Sequence, residues 1–281
     1  MKYFNDDGGL IIKSWCLAPE DGALDQARNL AKLPFAYRQI CLMPDTHQGY
    51  GMPIGGVLAT KGAVIPNAVG VDIGCGMCAV RTSLDGIDTD TLKTIMGKIR
   101  EAIPVGFNHH KEPQDNAFVL PGTFGPIIAQ EEGKIDYQIG TLGGGNHFIE
   151  IQRCADDGRI WVMIHSGSRN LGKKVADYYN KIARDLNARW YSTVSKTWDL
   201  AFLPMDTSEY KAYMNDMQIC VDFALANRNL IIERIKDIFR EVTGCVFEET
   251  INIAHNYARW ENHFGEPENG RTNLTAGEHD Q

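Results

Sequence analysis

The chain has 281 residues, of which 43% are hydrophobic and 23% are charged, and this composition excludes large-scale disorder. It holds no apolar run of the roughly 18–20 residues that a membrane span needs, and its N-terminus lacks the pattern of a signal peptide. These features predict a cytoplasmic protein without a membrane partner. The formal net charge of −8 disfavours non-specific coating of nucleic acid. It still allows an RNA enzyme that handles phosphate with divalent cations and a local arginine.

The first hundred residues alternate short apolar runs with glycine and proline, a pattern typical of strands between turns. Leu24–Leu33 has apolar residues at helical spacing and stops before Pro34. Asp88 begins a second helix as its N-cap, and that helix is expected to end near Ile103. The strands predicted in this part are Arg38–Met43, Gly56–Thr60 and Cys78–Ser83.

Residues 106–136 are polar and interrupted by proline and glycine, which predicts an irregular excursion. The later elements do not alternate regularly, and this favours an α+β fold with central β-sheets flanked by helices. One domain is expected over residues 1–265, followed by a disordered tail over residues 266–281, which are charged and poor in apolar side chains. The later elements are the strands Phe148–Gln152 and Ile160–Ile164 and the helices Leu171–Arg189 and Asp206–Val242.

A glycine-rich segment, Asn67–Cys78, carries the densest group of chemically active side chains. Its glycines allow sharp turns, so Asp72 and Cys75 can point into one small volume. A carboxylate and a thiolate, joined by imidazoles, suit a divalent transition metal such as Mn, Zn, Co or Fe. Two alternatives stay open: both cysteines are small core residues, or Cys75-x-x-Cys78 is a redox or zinc motif. The odd total of seven cysteines favours free thiols over a disulfide framework.

Three histidines, His147, His165 and His255, strengthen the metal interpretation. Each lies beside a short apolar run and next to glycine, asparagine or serine, and strand ends of this kind are where sites are built. Any one of them, taken alone, is more often a hydrogen-bonded structural histidine than a ligand. The three together favour a metal site.

Two further segments carry candidate residues. Ser166-Gly-Ser168-Arg169 precedes a predicted helix, and its hydroxyls, N–H groups and guanidinium favour phosphate binding. The alternative is a helix cap with a solvated arginine; on the phosphate interpretation, loss of Arg169 should leave the stability of the fold unchanged. Asp45 and His47 lie two residues apart before a glycine turn, where they can be ligands, supports or acid–base residues, or Asp45 can merely close the turn.

Five segments together resemble the successive signatures of the RtcB RNA ligases, in the order in which the family has them. The segments are Pro44–Gly51, Val71–Met77, Gly143–Glu150, His165–Arg169 and His255–Tyr257. The resemblance implies an RtcB-like layered fold and a reaction that joins an RNA 2′,3′-cyclic phosphate or 3′-phosphate end to a 5′-hydroxyl end. It also implies GTP as the activating nucleotide and two Mn²⁺ ions as cofactors.

Ligand roles follow from the resemblance, motif by motif. Asp72, Cys75 and His147 are expected to hold one metal ion, and Cys75, His165 and His255 the second. Cys75 would then bridge the two ions as a thiolate, since bound cations favour the deprotonated form.

Catalytic and nucleotide-binding roles are implied in the same way. Cys75 and Arg169 are the expected catalytic residues, with Arg169 on the terminal phosphate of the RNA, and Asp45 and His47 are further candidates. The guanylate site is expected to be lined by Asn146, His147, Phe148, Ile149, Glu150, His255 and Asn256.

Family members continue beyond the segment that matches His255 and carry there the histidine that accepts GMP from GTP. No segment of this sequence matches that motif, and His279 does not resemble it. The expectation is a chain truncated at its C-terminus: a fragment, a shortened member, or one half of a split enzyme that needs a partner chain. Two functions stay open, an RNA ligase or a portion of one, and a non-catalytic module that binds metal and RNA ends.

Overall fold

The computed structural model describes residues 1–5, 8–115, 118–261 and 273–278, the last of these by their backbone alone. The chain divides into two compact units. The first comprises the described residues of Met1–Ile73, Gly172–Gln218 and His255–Gln281, and the second comprises those of Gly74–Leu171 and Ile219–Ala254. The sequence predicted one domain over residues 1–265. Each unit combines stretches that are far apart in the chain, so no linker in the sequence marks the division.

Helices and strands are mixed along the whole described chain. The helices are α1 (Asp21–Ala31), α2 (Pro66–Val69), α3 (Thr89–Ala102), α4 (Pro126–Gln138), α5 (Arg169–Arg189) and α6 (Ser208–Thr243), with a 3₁₀ turn at Lys196–Trp198. The strands are β1 (Lys2–Phe4), β2 (Ile11–Ser14), β3 (Ala36–His47), β4 (Ile54–Thr60), β5 (Ala63–Val64), β6 (Gly76–Thr82), β7 (Phe148–Arg153), β8 (Ile160–Ser166), β9 (Leu203–Pro204), β10 (Phe247–Ala254), β11 (Asn256–Glu261) and β12 (Asn273–Glu278). In the part of the chain that the structure describes, no helix combines the length and the apolar character that a membrane crossing requires.

A six-stranded sheet in the order β1-β2-β3-β4-β12-β11 organises the first unit. Its neighbouring strands are antiparallel except β2 and β3, which are parallel and are connected by α1. The apolar spacing of α1 buries Leu24, Ala27 and Leu30, which pack with Ile40 and Leu58 of the sheet in one hydrophobic cluster. This crossover of strand, helix and parallel strand fixes the start of β3, whose far end carries Asp45 and His47.

A four-stranded antiparallel sheet in the order β10-β6-β8-β7 organises the second unit. Cross-strand pairs line up two apolar rows on one face, because side chains of paired residues lie on the same side of a sheet. The rows are Cys78, Ile164 and Ile149, and Val80, Val162 and Ile151. These rows pack with buried residues of α3 and α6, among them Ile95, Ile99, Ile231, Ile232 and Ile235.

The opposite face of this sheet carries the next residues along each strand. Met77, His165 and Phe148 form a paired row there. His165 is nevertheless buried, with 7% of its surface exposed. The alternation along β8 therefore separates the hydrophobic core from the face that holds a candidate ligand.

The predicted α+β class is confirmed, and so are the strands and helices that the sequence predicted, with ends shifted by a few residues. The cap of α3 is also confirmed. Asp88 Oδ1 accepts hydrogen bonds from the backbone N–H groups of Asp90 and Thr91, each at 3.0 Å. These bonds satisfy two of the N–H groups that a helix start leaves without an internal partner.

The prediction of an irregular excursion over residues 106–136 is wrong in its second half, where α4 begins at Pro126. Proline is favourable in the first turn of a helix because its missing N–H would have no partner there. Ile128 and Ile135 are buried on one side of this helix. The polar composition of the segment concealed that short apolar stripe.

Part of the predicted disordered tail, residues 273–278, lies among the described residues. Residues 266–272 and 279–281 lie outside the described residues. Asn273–Glu278 differs from the prediction, since it forms β12 and pairs with both β4 and β11. Backbone hydrogen bonds to two neighbours do not depend on an apolar composition, which is why the sequence pattern did not indicate a strand here.

The core of the second unit generates a stability prediction at two neighbouring residues of α3. Ile95 is fully buried in the cluster, whereas Met96 is 38% exposed. An Ile95→Ala substitution should lower the free energy of unfolding by about 2–5 kcal/mol, because it removes buried methylene groups and leaves a cavity. Met96→Ala is the matched control and should change it by less than about 0.5 kcal/mol. Guanidinium denaturation of both variants measures the difference, and equal midpoints would contradict this assignment of the core.

Candidate metal centre

The glycine-rich segment before β6 brings Cys75 into the interior of the second unit, where it is 2% exposed. Gly74 has a φ of +76°, and a Cβ at this position would lie 2.8 Å from the Cα of Val221 in α6. A side chain would therefore both strain the backbone and collide with the helix. Gly76 is equally constrained, since its Cβ would overlap the carbonyl oxygen of Ile253 in β10. These two glycines let Cys75 lie buried beside two packed elements.

Two histidines direct the same ring nitrogen at the Cys75 thiol. Cys75 Sγ lies 3.1 Å from His165 Nε2 and 3.4 Å from His147 Nε2. His147 Nδ1 lies 3.0 Å from the carbonyl oxygen of Leu142, and His165 Nδ1 lies 3.2 Å from that of Asn146. A carbonyl can only accept, so these contacts assign the ring N–H to Nδ1 and leave the Nε2 lone pair toward the sulfur. Metal-binding histidines are typically oriented in this way.

Gly143 makes the approach of His147 possible. Its φ of +94° is in the left-handed region that favours glycine. A Cβ there would lie 2.7 Å from His147 Nδ1 and closer still to Arg169 Nη1. Glycine at position 143 is therefore required by close packing around a histidine and an arginine.

The predicted ligands Asp72 and His255 belong to the first unit, where the side-chain amide of Asn256 donates to the carbonyl oxygen of Asp72 at 3.3 Å. Asp72 precedes Cys75 by three residues, and His255 directly follows Ala254, the end of β10. His255 is buried, with 6% of its surface exposed.

The donor set around Cys75 fits a transition metal ion. In the described part of the chain, Cys75 belongs to every group of histidine, cysteine, aspartate and glutamate side chains that could hold a metal ion. Sulfur and imidazole nitrogen are ligands for borderline divalent metals, whereas Mg²⁺ and Ca²⁺ prefer oxygen. The convergence of two Nε2 atoms on one sulfur is thus an arrangement that a metal ion would stabilise.

Cys78 does not join this cluster. It lies on the core face of β6, fully buried within the hydrophobic cluster. Burial raises the pKa of the Cys78 thiol to about 11. A buried thiol with so high a pKa is a poor nucleophile and a poor metal ligand at neutral pH. The structure therefore supports neither the redox nor the zinc interpretation of Cys75-x-x-Cys78, and Cys78 is the small core residue that the sequence left as an alternative.

The residues expected at the guanylate site differ in orientation. Asn146 and Glu150 are exposed, and the Phe148 ring is partly buried with its centroid 5.5 Å from that of His165. Ile149 instead packs its side chain against the hydrophobic core on the other face of the sheet. Any contact of Ile149 with a nucleotide is therefore limited to its backbone. Asn256, the first residue of β11, is buried.

Arg169 begins α5 with a φ of +60°, a conformation that is uncommon for a residue with a side chain. Its Nε donates to Thr141 Oγ1 at 3.0 Å, and its Nη2 donates to the carbonyl oxygen of Gly106 at 3.1 Å. The expectation that Arg169 does not contribute to stability is therefore wrong, because the guanidinium ties two loops together. A role in phosphate binding stays a prediction.

Asp45 and His47 lie at the end of β3 in the first unit, and both are exposed. His47 Nδ1 is 3.0 Å from the carbonyl oxygen of Asp45. A Cβ at Gly55 would lie 2.9 Å from Asp45 Oδ1, so this glycine makes room for the carboxylate. Their catalytic roles stay predictions.

Two further residues, Asn227 and Arg228 of α6, are fully buried beside the centre, and no motif in the sequence indicated them. They occupy the buried stripe of the helix between Ala224 and Ile231. A polar pair at core positions of an amphipathic helix was the available signal, since such residues are rarely buried unless they are hydrogen-bonded.

The two cysteines of the motif generate a reactivity prediction. Iodoacetamide applied to the native protein at pH 7.5 should leave Cys78 unmodified, because only a minute fraction of a thiol with a pKa near 11 is ionised at that pH. Cys154, which is partly exposed in the same unit, is the matched control and should be alkylated. Peptide mass spectrometry measures both sites, and denaturant should make them equally reactive. Rapid labelling of Cys78 in the native protein would restore the redox interpretation.

Comparison with known proteins agrees with the motifs. A family model described as tRNA-splicing ligase RtcB matches residues 26–121 and 125–272. The RNA-splicing ligase RtcB of Escherichia coli strain K12 is 34% identical over 283 residues, which cover 91% of this chain and 69% of that protein. The tRNA-splicing ligase RtcB of Thermococcus kodakarensis is 30% identical over 298 residues, which cover 87% of this chain and 62% of that protein.

A bacterial relative from another lineage gives the same result. The RNA-splicing ligase RtcB of Mycobacterium tuberculosis is 31% identical over 293 residues, which cover 85% of this chain and 67% of that protein. The chain thus spans between 62% and 69% of the length of these three relatives. The match extends over most of the chain and includes all five motif segments. The chain therefore belongs to the RtcB family of RNA-splicing ligases, and the ligase class predicted from its motifs is confirmed.

Proposed function

We propose that this chain acts in joining a 2′,3′-cyclic phosphate or 3′-phosphate end of RNA to a 5′-hydroxyl end, with GTP and two Mn²⁺ ions. One observation carries the proposal: the Nε2 atoms of His147 and His165 converge on the buried Cys75 thiol while backbone carbonyls hold both Nδ1 atoms. The names of the relatives, which are RNA-splicing ligases, support the substrate class. Bound divalent ions would supply neutralisation of phosphate charge during the reaction.

The proposed ligand sets are Asp72, Cys75 and His147 for one ion, and Cys75, His165 and His255 for the other. Support for Asp72 and His255 comes from chain connectivity within each unit. In the second unit, Ala254 pairs with Gly76, the neighbour of Cys75. His255 is the next residue along the chain after Ala254. In the first unit, the side chain of Asn256 hydrogen-bonds the backbone of Asp72.

The proposed guanylate site comprises Asn146 to Glu150 with His255 and Asn256. Its support is the exposure of Gly144, Gly145 and Asn146, which offers backbone N–H groups to a phosphate at the end of a glycine run. The half-buried ring of Phe148 offers an apolar surface for a base. Glu150 is exposed and provides a carboxylate beside it.

Arg169 is the proposed contact to the terminal phosphate of the RNA. Its guanidinium lies beside His147 over Gly143, and it donates to Thr141 through Nε and to Gly106 through Nη2. A planar guanidinium suits phosphate because it presents parallel N–H donors.

The acid–base roles of Asp45 and His47 and the cytoplasmic location stay predictions.

A ligation assay with metal-site variants tests this function. RNA halves with a 2′,3′-cyclic phosphate and a 5′-hydroxyl end should be sealed only when GTP, Mn²⁺ and a source of the GMP-accepting histidine motif, which no segment of this sequence matches, are all present. Cys75→Ala and His165→Ala should weaken Mn²⁺ binding at least about 10-fold, because each removes an expected ligand. His109→Ala, an exposed histidine of the same unit, is the matched control and should bind Mn²⁺ as the wild type does. Electron paramagnetic resonance titration measures free Mn²⁺.

The two readouts separate the candidate functions. Sealing that requires GTP and Mn²⁺ supports the ligase. Binding of Mn²⁺ and RNA ends without sealing supports the alternative, a non-catalytic module that recognises metal and RNA ends. Equal Mn²⁺ affinity of the wild type and Cys75→Ala would reject the metal centre.

Arg169 generates a separate prediction. An Arg169→Ala protein should lose about 1.5–3 kcal/mol of the affinity difference between 3′-phosphate and 3′-hydroxyl RNA, the range for a charge-assisted hydrogen bond. Arg169 also stabilises the fold through Thr141 and Gly106. Loss of that stability would weaken the binding of both RNA ends equally, so it does not change the affinity difference between them. Arg153→Ala is the matched control, since Arg153 also donates to a glycine carbonyl in the same unit but lies at the end of β7. Filter binding measures all four affinities, and an unchanged phosphate preference in Arg169→Ala would reject the assignment.

A further inference from the structure

Arg228 is an arginine in the interior of the second unit, with 0% of its surface exposed. Burying a guanidinium costs free energy unless hydrogen bonds satisfy its donors. Arg228 Nη1 donates to the carbonyl oxygen of Gly74 at 2.8 Å and to that of Ser166 at 2.9 Å. Arg228 Nε donates to Asn252 Oδ1 at 2.7 Å. One nitrogen therefore connects two backbone segments, and the third contact fixes the plane of the guanidinium.

The two carbonyls belong to the immediate neighbours of two proposed ligands. Gly74 precedes Cys75, and Ser166 follows His165. The two N–H bonds of Nη1 diverge in one plane, so they set both the spacing and the direction of these carbonyls. The thiol and imidazole one residue away are 3.1 Å apart. A change in Arg228 would therefore alter the relative position of Cys75 and His165 without removing either donor atom.

The adjacent residue of α6 holds the third ligand-bearing segment. Asn227 Oδ1 accepts from the N–H groups of Gly140 and Thr141, at 2.8 and 3.2 Å. Its Nδ2 donates to Ser166 Oγ at 3.1 Å. Ser166 Oγ in turn donates to the carbonyl oxygen of Leu142 at 2.8 Å, the same oxygen that His147 Nδ1 contacts. The segments that carry Cys75, His147 and His165 are thus all hydrogen-bonded to two consecutive residues of one helix.

We propose that Asn227 and Arg228 form a clamp that positions Cys75, His147 and His165 for metal binding, with Arg228 as the residue that sets the spacing of Cys75 and His165. This inference rests on the proposed function, because it assumes that the cluster binds a metal ion. Arg228 does not contact the metal or the substrate in this scheme; it is a positioning residue that acts through backbone carbonyls.

The geometry explains why lysine cannot replace this arginine. A lysine ammonium has no second donor group like Nε with which to bind Asn252 while it contacts both carbonyls. Arg228→Lys keeps the positive charge and most of the volume and loses the planar fork. It is therefore the variant that tests geometry, whereas Arg228→Met tests the removal of all three contacts.

The test uses Co²⁺ as a spectroscopic probe of the full chain. A cysteine thiolate bound to Co²⁺ gives a charge-transfer band in the near ultraviolet, and the visible bands report the coordination geometry. The wild type should show both. Arg228→Met and Arg228→Lys should bind Co²⁺ about 10- to 100-fold more weakly, with altered visible bands, as is typical when a residue that orients metal ligands is lost.

Arg240→Met is the matched control, because Arg240 is an arginine of the same helix and its Nη1 donates to Asp237 of that helix at 2.7 Å. It contacts no residue adjacent to Cys75 or His165 through the bonds described. This variant should keep the wild-type Co²⁺ affinity and spectrum even when its melting temperature falls. If Arg228 contributes to stability alone, Arg228→Met and Arg228→Lys would lower the melting temperature, and neither variant would change the Co²⁺ spectrum.

The outcomes distinguish this inference from the proposed function. If the wild type shows no thiolate band with Co²⁺, the metal centre itself is wrong, and the clamp falls with it. If the wild type shows the band and a folded Arg228→Met has the same affinity and spectrum, the clamp is rejected while the metal centre stands. If Arg228→Met does not fold, Arg228→Lys decides, and its wild-type spectrum would overturn the assignment.

Discussion

Two imidazole rings direct the same nitrogen at the buried Cys75 thiol, and the candidate metal centre of the second unit depends on this convergence. The contact alone is weak, since sulfur is a poor hydrogen-bond partner. It persists because the backbone fixes each ring from behind, through the carbonyls of Leu142 and Asn146. Those loops are in turn held by glycines without side chains and by buried donors from α6. Polar groups that would be costly to bury singly are therefore satisfied as one network.

In the sheet of the second unit, one face packs against the hydrophobic core and the other carries a candidate metal ligand. Ile164 and Val162 face the hydrophobic cluster with α3 and α6, and the residue after Ile164 is His165 on the other face. A shift of β8 by one residue would exchange these positions and bury the imidazole in the core. The apolar packing therefore specifies the register of the site as well as the stability of the fold. Gly76 adds to this, because its missing side chain lets β10 approach β6 closely and end at Ala254.

Elements that depend on local sequence patterns were predictable, whereas elements that depend on pairing with distant segments were not. The helix over Leu24–Leu33 was predictable because its apolar spacing is a local property, and so was the cap at Asp88. The side chains around Cys75 were predictable because metal-binding residue types cluster beside glycine. By contrast, β12 owes its existence to strands on both sides, and α4 to a short stripe within a polar segment. Asn227 and Arg228 are visible in the sequence only as a polar pair on a buried helix stripe, because their partners are backbone groups of distant segments.

One consequence concerns how the chain acquires its native state. Gly74 and Arg228, which are hydrogen-bonded, are 154 positions apart, and the stretch between them includes Gly172–Gln218 of the first unit. Contacts of such long sequence separation form slowly, because the entropy of closing the loop is lost before the contact compensates for it. The same helix completes the hydrophobic cluster, so we expect burial of the core and arrangement of the thiol and imidazoles to occur in one kinetic step. Metal ions present from the start of refolding would trap the native state by mass action without accelerating its formation.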